Sequence, residues 1–179
     1  MNKFLYILLA ILTLSSCSQY QKALKSDDVE FKTKVFTQQI EKKKYSKAIR
    51  LFEQYATSYR GKPQGESAFF NYAKALYATK QYISAAYQFE SFASSYPKSA
   101  NAEEASFLAA ESYSKVSPLY SLDQVDTDKA LSKIQIFANK YPNSQYLPKA
   151  NEIVKELTEK LELKAFEIAK QYNTIGEFT

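Results

Sequence analysis

One pattern of small and bulky residues occurs three times along the chain, each time with the same spacing. An alanine is followed by a bulky apolar residue four positions later, an aromatic residue seven positions later and a second alanine eight positions later. The three copies are Ala48-Phe52-Tyr55-Ala56, Ala85-Phe89-Phe92-Ala93 and Ala130-Ile134-Phe137-Ala138. These offsets place all four residues on one face of an α-helix. The pattern therefore predicts an all-α repeat protein, in which the small residue admits a neighbouring helix and the rings fill the space beside it.

Each copy ends at a tyrosine, and a proline follows at once or within four residues. The tyrosines are Tyr59, Tyr96 and Tyr141, and the prolines are Pro63, Pro97 and Pro142. Proline cannot continue the helical hydrogen bonds and disfavours helical geometry in the residue before it. A second helical pattern precedes each copy, clearly over residues 66–79 and 102–115 and more weakly over residues 31–40. The repeating unit is therefore two helices joined by a turn.

The copies are 37 and then 45 residues apart, which places an insertion in the third repeat, over residues 116–126. Asp126 or Thr127 is the predicted N-cap of the helix that follows it. After Pro142 a helical stripe runs from Ala150 to Tyr172, and a turn is predicted over residues 173–178. Period and pattern resemble the tetratricopeptide repeat (TPR). We expect a right-handed α-solenoid of TPR helix pairs, with about three complete repeats plus the long first helix of a fourth, and a chain truncated at its C-terminus.

Composition excludes several classes of chemistry. The chain has no histidine, one cysteine and three glycines, which removes Cys/His metal sites, Ser-His triads, thiol redox pairs and glycine-rich phosphate loops. Its 24 Lys and Arg against 19 Asp and Glu are dispersed, apart from residues 42–44, so we expect no nucleic-acid partner. No paired-carboxylate motif lies on a predicted loop. We therefore expect neither an enzyme, nor a metal site, nor a cofactor.

The N-terminus has the pattern of an export signal. Lys3 is followed by an apolar run from Phe4 to Leu14, which is too short for the roughly 20 residues of a spanning helix. The run ends in Leu14-Ser15-Ser16-Cys17, which resembles the lipobox of bacterial lipoproteins. We predict a signal peptide over residues 1–16, lipid attachment (palmitate) at Cys17, a lipidated polar tether over residues 17–28 and a TPR-like repeat domain over residues 29–179. An ordinary secretory signal is the alternative.

Several local sequences, taken together with the lipobox, resemble the BamD family, the TPR lipoproteins of the machinery that inserts β-barrels into the bacterial outer membrane. They lie at residues 51–53, 96–99, 117–124, 141–146, 157–164 and 166–169. The resemblance implies a scaffold held by its lipid on the periplasmic face of the outer membrane. It also implies three kinds of partner: the POTRA domains of BamA, other Bam lipoproteins and unfolded β-barrel substrates. Ser18, where an acidic residue would resemble an inner-membrane retention signal, favours the outer membrane.

The first helix of each TPR pair lines the concave face of such arrays, which indicates where a peptide would bind. Spacing places Phe70, Lys74 and Tyr77 on that face in one repeat, and Phe107 and Glu111 in the next. The rings would take aromatic side chains of an extended barrel-derived peptide, and Lys74 would pair with its carboxylate. The alternative is that these rings pack against neighbouring repeats.

A second function remains open at this point. The same features suit another periplasmic TPR lipoprotein, a scaffold in envelope or peptidoglycan organisation. Co-purification with BamA would separate the two functions.

Overall fold

The computed structural model describes residues 19–59 and 62–176, and no strand occurs among them. The helices are α1 (residues 19–25), α2 (Val29–Glu41), α3 (Tyr45–Phe52), α4 (Ala56–Tyr59), α5 (Glu66–Ala78), α6 (Tyr82–Ser95), α7 (Ala102–Ser114), α8 (Val125–Lys140) and α9 (Leu147–Ile175), with a 3-10 turn at Pro63–Gly65. Within each unit, helices near one another in the chain pack in pairs, which confirms the predicted all-α fold of TPR-like helix pairs. The chain divides into two compact units at Thr79 and Lys80.

In the first unit α2, α3 and α5 pack on one another around an aromatic core. Phe52 is fully buried at its centre, and four other rings surround it with centroid distances between 4.7 and 5.2 Å. These rings belong to Phe36, Tyr55, Phe69 and Tyr72. Aromatic residues of α2, α3 and α5 thus replace the aliphatic side chains that fill many helical cores.

The helix predicted to run unbroken from Tyr45 to Tyr59 is interrupted after Phe52. The N–H groups of Gln54 and Tyr55 donate to carbonyl groups three residues earlier instead of four, which tightens the turn. Gln54 Oε1 accepts a hydrogen bond of 2.9 Å from Nζ of the buried Lys32. Tyr55 is buried all the same, so the predicted apolar face persists through the irregular turn.

The predicted tether over residues 17–28 is wrong for part of its length. Residues 19–25 are helical, and Tyr20 and Ala23 of this segment are buried in the core with residues of α2 and α3. Asp28 then caps α2, because its carboxylate accepts the N–H groups of Glu30 and Phe31. The predicted signal peptide and Cys17 lie outside the described residues.

The second unit consists of α6, α7, α8 and α9, each packed against the next. Ala130, Ile134 and Phe137 of the repeat pattern are buried in its core, whereas the fourth position, Ala138, is only partly buried. Helices α6 and α8 end at Ser95 and Lys140. In each case a tyrosine forms the C-cap, and the proline that was predicted to stop the helix follows the tyrosine. The stripe of α9 is buried only as far as Leu157.

Two predicted boundaries differ from the structure. Helix α8 begins at Val125 with Gln124 at the N-cap, so Asp126 and Thr127 lie in the first turn and neither is the cap. Asp126 still stabilises this end through the helix dipole. Helix α9 continues to Ile175, beyond the turn predicted from residue 173. It ends at Gly176, whose φ of +74° is readily adopted only by a residue without a side chain.

Candidate protein-binding surfaces

The structure places the predicted peptide-binding residues of the first unit on α5, in different environments. Phe70 is buried, with 6% of its surface exposed, whereas Lys74 is exposed and Tyr77 is half-buried. Lys74 Nζ lies 5.2 Å from the centroid of the Phe70 ring. The accessible part of this predicted site is therefore Lys74 with Tyr77, whereas the ring of Phe70 is buried.

The predicted residues of the second unit, Phe107 and Glu111, are covered by α9. Both are 2% exposed. The ring of Tyr146 stacks on Phe107 with the centroids 4.8 Å apart and the planes 8° from parallel. Lys149 Nζ lies 2.7 Å from Glu111 Oε1 and 5.8 Å from the Phe107 centroid. These two residues bind α7 to α9 in this structure, which agrees with packing between repeats.

Sequence reasoning missed Tyr146 and Lys149, although their position was a usable signal. Both lie beside Ala150, the first buried residue of the α9 stripe. Ser144 just before them donates to Glu103 Oε1 at 2.6 Å. Burial, reinforced by the nearby carboxylates of Glu104 and Glu103, raises the pKa of Tyr146 above its ordinary value. The raised pKa favours the uncharged phenol, whose ring packs on Phe107.

The insertion between α7 and α8 is held by a chain of hydrogen bonds. Gln124 Nε2 donates to the carbonyl oxygens of Leu119 and Leu122, at 2.8 and 2.9 Å, and closes the loop on itself. Thr127 Oγ1 donates to Gln124 Oε1, so in its 2.7 Å contact with Ser117 the serine hydroxyl must be the donor. A fixed set of donors thus orders a loop that has no secondary structure of its own.

Two lysines of α9 fasten the same loop to the helix. Lys160 Nζ donates to Ser117 Oγ at 2.6 Å, and Lys164 Nζ donates to the carbonyl oxygen of Leu122. Ser117 therefore receives a hydrogen bond from the lysine and donates its own proton onward. The loop and α9 form one continuous surface.

That surface is rich in exposed apolar side chains. Phe166 and Tyr172 of α9 are 62% and 54% exposed, and Leu119 of the loop is 73% exposed. The other exposed members are Leu122, Leu163, Ile168 and Ile175. An open groove of about 490 Å³ is lined by Tyr120 and Ser121 of the loop and by α9 residues between Lys164 and Ile175, among them the apolar Ile168 and Ile175 but neither Phe166 nor Tyr172. Contiguous apolar patches rimmed by polar residues are typical of protein interaction sites. We call these residues the α9–loop surface.

Neither a metal centre nor a bilayer-spanning helix is found in the part of the chain that the structure describes. Residues 19–59 and 62–176 contain no group of three acidic, histidine or cysteine side chains arranged to hold a metal ion. Within the same residues no helix combines the length and the apolar character that crossing a membrane requires.

Comparison with known protein families finds a match over most of the chain. Residues 27–179 match the family YfiO, described as an outer membrane lipoprotein. No curated protein matches the chain in a sequence comparison. The matched range includes every helix from α2 to α9 and the insertion loop. This is a family of outer-membrane helical scaffolds and not a family of enzymes, and it covers BamD-type proteins. The chain therefore belongs to the YfiO family of outer membrane lipoproteins.

Proposed function

We propose that this protein is a scaffold of the β-barrel assembly machinery, held by a lipid on Cys17 at the periplasmic face of the outer membrane. Its proposed partners are the POTRA domains of BamA, other Bam lipoproteins and unfolded β-barrel substrates. Membership of an outer membrane lipoprotein family supports the location. The α9–loop surface supports the role as a scaffold, and it is the single observation on which the proposal depends.

The chemistry of the α9–loop surface suits a protein partner such as BamA. Aromatic side chains dominate the energy of interface centres, and Phe166 and Tyr172 are available to fill pockets on a partner. Lys164, Glu167 and Lys170 lie along the groove and provide a polar rim. The loop is ordered by Lys160 and Lys164, so association has less loop entropy to lose.

Replacing both Phe166 and Tyr172 by serine is expected to weaken retention of BamA about tenfold or more, since α9 loses its two exposed aromatic side chains. Retention is measured by co-purification from solubilised envelopes. The matched control replaces the exposed Glu152 and Glu156 of the same helix with serine, and it should retain BamA. Equal retention by both double variants would contradict the assignment of this surface. If BamA does not co-purify with the unsubstituted protein, the result would favour the alternative function, a scaffold in envelope or peptidoglycan organisation.

The α5 site is proposed to receive the aromatic C-terminus of an unfolded barrel protein through Lys74 and Tyr77. Lys74→Glu combined with Tyr77→Ala should weaken binding of a barrel-derived C-terminal peptide about tenfold, because a charge contact and an aromatic contact are both removed. Fluorescence anisotropy measures the affinity, and far-UV circular dichroism checks that helicity is kept. Lys34→Glu, an exposed lysine of α2, is the control for net charge. Unchanged affinity in the double variant would exclude α5 as a substrate site and leave the BamA contact untouched.

A further inference from the structure

Positive charge is concentrated in the first unit. Residues 17–79, which follow the predicted signal peptide, carry 12 Lys and Arg against 6 Asp and Glu, whereas residues 80–179 carry 11 against 13. From residue 19 to residue 50 there are nine basic side chains and four acidic ones. Both units are exposed to the same solvent, so solubility alone does not call for this asymmetry. It indicates that the first unit faces something anionic.

Three of these cations follow one side of α3, at Lys44, Lys47 and Arg50. A spacing of three residues keeps neighbouring side chains adjacent on a helix. Helix α1 lies on the same side, because Lys47 Nζ is 5.1 Å from the centroid of the Tyr20 ring. The charge of Arg50 also acts on the Tyr20 hydroxyl and partly offsets the rise in its pKa that burial causes. The start of α1 is thus bordered by two cations of α3.

The turn between α2 and α3 presents further lysines in a fixed backbone. Lys43 has a φ of 53°, and its N–H donates to the Ile40 carbonyl oxygen at 2.9 Å. The N–H of Lys44 donates to the Gln39 carbonyl oxygen at 2.8 Å. Lys43, Lys44 and Lys22 of α1 are all exposed. We call Lys43, Lys44, Lys47 and Arg50, together with Lys22 of α1, the basic α1–α3 face.

The distance along the chain from Cys17 limits how far this face can be from a membrane. Tyr20 is three residues after Cys17, and three extended residues span at most about 11 Å. Electrostatic interactions at physiological ionic strength decay over about 8 Å. With the lipid of Cys17 in the bilayer, the greatest possible separation of Tyr20 from the anchor is therefore comparable to this decay length, which allows the cations beside Tyr20 to approach the headgroup charge.

We propose that the basic α1–α3 face lies against anionic phospholipid headgroups and orients the protein on the membrane, an inference that rests on the proposed lipidation of Cys17. Phosphate oxygens accept hydrogen bonds from lysine and arginine, and arginine can bind one phosphate through two N–H groups. The lipid supplies attachment, and the cations hold the first unit against the surface. Phosphatidylglycerol provides the required anionic headgroup.

The test reconstitutes the mature lipidated protein on vesicles and measures how fast each lysine reacts with a membrane-impermeant amine reagent. Vesicles of phosphatidylcholine alone are compared with mixed phosphatidylcholine–phosphatidylglycerol vesicles. Lys44 and Lys47 should react about fivefold or more slowly on the mixed vesicles. This factor corresponds to the roughly 1 kcal/mol with which an anionic surface attracts each nearby Lys or Arg. High salt should abolish the difference. Lys98 and Lys115, exposed lysines of the second unit, should react equally on both vesicles.

A variant separates the role of the cations from mere proximity. Lys47→Gln with Arg50→Gln should abolish the protection of Lys44 on mixed vesicles, whereas Lys98→Gln with Lys115→Gln, the control for net charge, should keep it. Equal labelling of Lys44 on both vesicle types, from protein that remains attached, would overturn the inference. Protein that attaches to neither vesicle would contradict the lipid anchor of the proposed function instead, so the two failures are distinguishable.

Discussion

Replacing Phe52 with alanine is expected to reduce the free energy of unfolding of the first unit by about 3–5 kcal/mol. The side chain is fully buried, and the rings of Phe36, Tyr55, Phe69 and Tyr72 surround it. Truncation at Cβ removes the apolar surface of one ring and leaves a cavity that four rigid neighbours cannot easily fill. Hydrogen exchange of the α2, α3 and α5 amides under increasing urea measures the loss in this unit.

A matched control distinguishes this effect from the loss of any phenylalanine. Phe166→Ala removes the same atoms from an exposed position of α9 and should change stability by no more than about 0.5 kcal/mol. Phe52→Leu keeps much of the volume and should cost less than the alanine variant. A cost below about 1 kcal/mol for Phe52→Ala would show that the aromatic cluster does not hold the first unit together.

Replacing Lys149 with methionine should destabilise the second unit by about 3 kcal/mol. The substitution keeps the unbranched side chain up to the terminal nitrogen but leaves the carboxylate of Glu111 buried without its cation. The reverse substitution is milder, since Lys149 is 58% exposed and regains water when Glu111 becomes glutamine. We expect about 1 kcal/mol for Glu111→Gln, which exchanges a charged hydrogen bond for a neutral one. Urea unfolding monitored through amide exchange in α7 and α9 measures both.

The double variant tests the physical origin of that asymmetry. With Glu111→Gln present, Lys149→Met no longer strands a charge, so the combined cost should be smaller than the sum of the two single costs. Additive costs would mean that the two side chains do not interact through their charges. The prediction that Lys149→Met is the more destabilising of the two would be wrong if Glu111→Gln lowered the free energy of unfolding more than Lys149→Met does.

The repeat pattern predicted the helices of both units because its information is local. Ala85, Phe89 and Phe92 lie within a span of eight residues, and any helix that includes this span places them on one face. Pro97 and Pro142 stop their helices through a missing N–H group, which needs no partner elsewhere. The same reasoning missed the irregular turn after Phe52, where the side chain of Gln54 bonds to a lysine of another helix.

The segment after Cys17 was misjudged because its composition is polar. In residues 19–25 only Tyr20 and Ala23 are buried, and two buried positions on one side are enough to pack a short helix on a larger core. Tyr20, Ala23 and Leu24 do have helical spacing, which was the available signal. These residues pack on α2 and α3. The composition of the segment does not show that those two helices offer an apolar surface next to it.

Sequence alone could identify the helical faces, the helix ends and the family resemblance, because each depends on residues that are close along the chain. Which side chains stay accessible was decided only when distant segments met. Phe107 and Glu111 were expected to face a groove, yet Tyr146 and Lys149 of a later helix cover them. The same helix leaves Phe166 and Tyr172 exposed. Periodicity states which residues share a face of a helix, but burial depends on which other helix packs against that face.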